Sequence, residues 1–109
     1  MDKIKNINKS EVLALSNLVS YQEGQVVSRT LAQSEHVSLT LFAFAKDEEI
    51  STHESNGDAL VTVLEGTGKF TVGGEEFLVN AGESIVIPAR VPHAVYGQEQ
   101  FKMSLTVIF

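Results

Sequence analysis

From Gln25 to the C-terminus, apolar and polar residues alternate with a period of two, and the 3.6-residue spacing of an amphipathic helix is missing from this stretch. A strand sends successive side chains to opposite faces, so such a chain must build sheets with one face buried. Val37, Leu39, Leu41 and Ala43 share one face, which we assign to the interior. Ser38, Thr40, Phe42 and Phe44 share the other. At the C-terminus Phe101, Met103, Leu105, Val107 and Phe109 fall on one side and Lys102, Ser104 and Thr106 on the other. Short apolar runs lie between, at 60–64, 69–72, 76–79, 84–88 and 94–96, separated by glycine-bearing turns. Gly73-Gly74 between β-forming residues marks a tight hairpin, because both positions accept positive φ without a Cβ clash.

Many short strands with no long helix among them predict an all-β sandwich or barrel, and closing the sheet would remove the edges that invite aggregation. The 109 residues suffice for one domain and one core, with any pocket inside the fold itself. We divide the chain into an N-terminal extension, 1–20, and a barrel, 21–109. In the extension Ser10 can cap a helical turn from Glu11 to Leu15. Alternatively Val12, Leu15 and Val19 pack an irregular segment or an added strand against a sheet.

Eight basic against fourteen acidic residues give a net charge of −6 with no cationic stripe, which disfavours nucleic acid as a partner. No apolar run is long enough for a membrane-spanning helix. Ser16 and Asn17 interrupt the only stretch that imitates a signal peptide, so we expect a cytoplasmic protein. With no cysteine, thiol chemistry is excluded and a metal must be held by imidazole, carboxylate, other oxygen or nitrogen donors, or thioether sulfur.

Two segments resemble the paired motifs of the cupin family, over about residues 35 to 109. Gly82-Glu-Ser-Ile-Val-Ile-Pro88-Ala-Arg-Val-Pro-His93 fits the second motif, G-x5-P-x4-H, with Gly97 where the family carries Asn. The first motif, G-x5-H-x-H-x3,4-E-x6-G, is matched in part between Asp47 and Gly66. His53 holds the first His position, while Ser55, Ala59 and Asp47 stand at the second His, the Glu and the leading Gly. The resemblance implies a double-stranded β-helix, or jelly-roll, barrel. Complete members use three His and one Glu to hold a divalent metal inside it; His53 and His93 are the two such ligands kept here.

Two imidazoles on facing strands can bind Fe, Mn, Ni, Cu or Zn, but want a third donor. Asp58, beside Gly57, becomes one if a bulge turns it inward; strict alternation from Ala59 aims it outward. Glu54, adjacent to His53, faces away. His36 lies outside both motifs as an exposed or locally bonded imidazole, and Met103 is core filler. Arg90, in the turn before His93, either meets an anionic ligand at the barrel mouth or is a plain surface arginine.

The plainest reading of His53 and His93 is a pair of hydrogen-bonded histidines in a barrel that has lost its metal. Against it stands the cost of aiming imidazoles into an apolar cavity unless they are satisfied. Two functions remain open: an enzyme using a weakly held metal, or the two histidines as acid and base, on a polar small molecule in the barrel, and a binding or sensing module for a sugar or carboxylate. An isologous homodimer through the sheet face bearing Phe42 and Phe44 is a further expectation.

Overall fold

The computed structural model describes residues 3–109. Nine strands carry the fold: β1 (Val26–Gln33), β2 (Val37–Phe44), β3 (Glu49–His53), β4 (Asp58–Glu65), β5 (Thr67–Val72), β6 (Glu75–Asn80), β7 (Ser84–Ile87), β8 (His93–Gly97) and β9 (Phe101–Ile108). They form two antiparallel sheets, in the orders β1-β2-β9-β4-β7 and β3-β8-β5-β6, packed face to face as a jelly roll. The hydrogen-bonded ladder does not run continuously around the barrel. Each sheet keeps its own edges, at β1 and β7 and at β3 and β6. The Gly73-Gly74 hairpin is present, with both glycines at positive φ (57° and 85°) and Val72 paired to Glu75 across them.

The interior is filled from both sheets by Phe44, Ala59, Val61, Val63, Phe70, Val79, Ile87, Val95, Phe101, Met103 and Val107. Phe101 is its hub. Its ring stacks on Phe44 with centroids 4.6 Å apart and meets Phe70 edge-on at 6.1 Å. Each fully buried ring of this kind contributes roughly 3–5 kcal/mol against truncation to alanine. Because Phe44 pairs with Phe101, and Gly68 with Gly97, this aromatic plug occupies the end of the barrel remote from Val72 and His93.

The faces of β2 are the reverse of our assignment. Phe44 is fully buried inside and Phe42 packs half-buried against the same core, so the rings invoked for a dimer interface point inward. Leu41 and Ala43 face outward and are nevertheless wholly buried, together with Leu31 and Val19, because the N-terminal segment covers them with Ile7, Leu15, Leu18 and Tyr21. Both faces of β2 are thus apolar, and period two alone cannot tell which is the barrel's.

The segment itself differs from a capped helical turn. Ser10 has φ +61°, outside helical geometry, and the only helical turn among the described residues is a 3-10 turn at Leu15–Leu18 that starts without a side-chain cap. Val12 is fully exposed, whereas Leu15 and Val19 do pack on the sheet.

A polar latch holds the segment down. The nearly buried Lys102 ammonium donates to the Ser16 carbonyl at 2.7 Å, pairs with Glu65 at 3.1 Å and lies 4.9 Å from the centre of the Tyr21 ring. The Tyr21 hydroxyl donates to the same Glu65 carboxylate at 2.8 Å. A lysine on the outer face of β9 can be covered because each of its neighbours answers its charge.

Two outcomes follow. Gly66 sits at φ +75° with a Cβ position 2.1 Å from the Gln100 carbonyl oxygen. Gly66→Ala therefore adds left-handed strain to a backbone clash, and urea denaturation should show a loss of about 3 kcal/mol. The Tyr21 bond, and after it the Lys102 bond, hold the Glu65 carboxyl below its ordinary 4.5. A lowered folded-state value means stability present above that ordinary value and lost as pH falls through the lowered one. Calorimetry should therefore show Tm dropping below about pH 4.5, with a shallower drop in Glu65→Gln.

Candidate functional site

β3 pairs with β8 so that Ile50 lies opposite Val95 and His53 opposite His93. Three steps along β3 therefore match two along β8. The extra residue is a bulge, and without it alternation from Ile50 would put His53 on the outer face. The bulge instead brings the His53 ring alongside His93, with centroids 4.3 Å apart and planes inclined at 59°. His93 is buried at 6% exposure, flanked by Val72 of β5 on its other side, while His53 is exposed. The pair thus marks a boundary between core and solvent at the barrel mouth, opposite the aromatic plug.

Both rings are oriented in the same way. Nδ1 of His53 lies 2.9 Å from the Ser51 carbonyl oxygen, and Nδ1 of His93 lies 2.9 Å from that of Val91. A carbonyl oxygen only accepts, so each Nδ1 carries the proton, and in the neutral ring each Nε2 holds a free lone pair. Imidazoles that ligate metals are tied through their other nitrogen in this manner. Among the described residues no buried side-chain nitrogen or oxygen lacks a partner, so burial of His93 is already satisfied without a ligand.

The remaining candidates lie elsewhere. Asp58 is exposed, as strict alternation has it, and its Oδ1 accepts the Ala89 N–H at 2.7 Å. No group of three or more His, Asp or Glu side chains suited to a metal forms among the described residues. Glu54 is exposed, Met103 is core, and His36 is an exposed imidazole 3.3 Å from Glu35. Asp47, at the position of the motif's leading glycine, has φ +69°. The left-handed backbone is kept there with a residue that tolerates it, and its carboxylate accepts the Tyr96 hydroxyl at 2.6 Å.

Sequence reasoning missed the bulge and the two carbonyls that fix the tautomers, since backbone atoms leave no mark on residue type. It also missed the stitch between the two histidine-bearing segments, where Arg90 N–H donates to the Ser55 carbonyl at 2.7 Å. The expected enclosed cavity is not where the clefts are. One of about 740 Å³ lies between the N-terminal segment and β1, bounded by Asn8, Glu11 and Arg29. Another, of about 350 Å³, opens along the seam between β6 and β7, where Phe77, Leu78 and Val86 line it. A third, of about 580 Å³, adjoins Tyr21, Lys46 and Glu65. Neither imidazole borders any of them. No helix among the described residues is long and apolar enough to cross a membrane.

A family model described as a cupin domain matches residues 40–109. A conserved Streptococcus pyogenes protein of unknown function is 42% identical, with TM-score 0.97 over 99% of this chain and 95% of that one. A cupin superfamily protein from Desulfitobacterium hafniense is 32% identical, with TM-score 0.94 over 99% of both chains. A cupin 2 conserved barrel domain protein from Leptotrichia buccalis is 46% identical, with TM-score 0.86 over 87% of this chain and 46% of that one. A search of curated proteins found no match.

The tautomers can be observed directly. Long-range proton–nitrogen correlation spectra at alkaline pH should show His53 and His93 protonated at Nδ1, and a pattern with the proton on Nε2 would contradict the assignment.

Proposed function

Because this chain belongs to the cupin family, we propose that His53 and His93 form a mouth site that takes a divalent transition metal together with a small polar ligand. The supporting observation is the pair of imidazoles, with centroids 4.3 Å apart and each Nδ1 engaged by a carbonyl, which leaves both Nε2 atoms unengaged. Fe, Mn, Ni, Cu and Zn all accept imidazole nitrogen, and the two Nε2 atoms would supply two of the donors. The metal, when bound, supplies Lewis-acid polarisation of a ligand oxygen. The chain's own part is orientation: Ser51 and Val91 aim the rings, and Val72 and Val95 present an apolar floor beside them. With no third protein donor among the described residues, binding is weak, and ligand oxygens complete the shell.

That shortage also supports a second reading, a metal-free binding or sensing module in which the two Nε2 atoms accept hydroxyl protons of a sugar or carboxylic acid. The fold hosts many unrelated chemistries and does not choose a reaction.

Equilibrium dialysis against Co2+, followed by elemental analysis, separates the readings. Wild type should retain about one metal per chain at sub-millimolar free Co2+, and the His53→Ala, His93→Ala double variant should need at least tenfold more. Equal retention rejects the metal. Thermal stabilisation by small acids or sugars after chelation would then favour the metal-free module.

A further inference from the structure

We propose that Arg90 makes this mouth selective for hydroxy acids carrying a second carboxylate, with the hydroxyl-bearing end at the His53 and His93 Nε2 atoms and the distal carboxylate on the Arg90 guanidinium. The inference rests on the proposed two-histidine site and names the class of ligand it takes.

Arg90 stands where the two histidine-bearing segments meet. Its N–H is bonded to Ser55, two residues beyond His53, and it lies three residues before His93. Its backbone is left-handed, at φ +64°, a conformation that a residue with a Cβ adopts only at a cost and that favours glycine or asparagine. Strain of this kind collects where a side chain is needed in a particular place.

The charge of Arg90 is unspent. The side chain is exposed and makes no ion pair or side-chain hydrogen bond among the described residues. Arg29, Lys69 and Lys102, by contrast, are engaged by Asn6, Glu76 and Glu65. A carboxylate is at hand, yet Asp58 gives its Oδ1 to the N–H of Ala89, the residue before Arg90. In a chain of net charge −6, an arginine left unpaired where the backbone stitches the two histidine-bearing segments together suits an anion from outside. The guanidinium is also the side chain best matched to a carboxylate, through two parallel hydrogen bonds.

Size is bounded from both ends. The plug of Phe44, Phe70 and Phe101 fills the barrel below, so a ligand stays at the mouth. Three residues of chain separate the Cα atoms of Arg90 and His93 by at most about 11 Å, a gap that an arginine side chain and a four-carbon diacid can span together.

Malate and lactate test the idea, because they share a chelating hydroxy-acid end and only malate has the distal carboxylate. Calorimetric titration of the Co2+-loaded chain should give malate at least tenfold tighter binding than lactate. In Arg90→Gln the preference should fall below twofold with lactate unchanged, and Arg90→Lys should keep part of it. Both variants should melt within about 3 °C of wild type, since the guanidinium has no partner to lose. Equal affinities in wild type, or a malate preference that survives Arg90→Gln, would overturn the inference. If Co2+ binds wild type no better than the double histidine variant, the metal reading fails by itself. The same comparison on the metal-free chain then decides Arg90, with an Arg90-dependent malate preference supporting it and none overturning it.

Discussion

Everything in this barrel is arranged around the close contact of Phe101 with Phe44 and Phe70. The three rings come from both sheets and are wholly buried, so they fix how far apart the sheets stand at one end. Gly68 makes that packing possible, because a Cβ there would lie 2.7 Å from the Phe101 ring and 2.8 Å from the Phe70 ring. The plug fills one end of the barrel, and the other carries the two imidazoles, flanked by Val72 and Val95.

The sheet containing β1, β2 and β9 works on both faces. Its inner face supplies Phe44, Phe101 and Met103 to the core, and its outer face supplies Leu31, Leu41 and Ala43 to a second cluster beneath the N-terminal segment. Among its described residues the segment has no regular structure beyond one 3-10 turn, so its order comes from tertiary contacts. Glu65 joins this latch by accepting from both Tyr21 and Lys102.

The histidine pair has the orientation of metal ligands without the full set of them. Each ring is held through Nδ1 by a carbonyl two residues earlier, a local device that works whether or not Nε2 is occupied. Ser55 and Ala59 stand at positions where complete members of the family place ligands, and here Ser55 instead ties the β3–β4 connection to Arg90.

Much of the fold is legible in the sequence. Alternation and the glycine turns determined an all-β sandwich or barrel, because strand periodicity and turn chemistry are local properties of the chain, while the jelly roll was legible only through the resemblance of the segment from Gly82 to His93 to a cupin motif. The proximity of His53 and His93 was legible only through the motif resemblance, since alternation by itself sends His53 outward from Ile50. Tertiary structure decided the bulge that reverses it, the inward turn of Phe42 and Phe44, and the commitment of Asp58 to Ala89. Each of these depends on which backbone lies opposite. A two-residue period carries no record of its partner's register, nor of the apolar segment that will cover a sheet's second face.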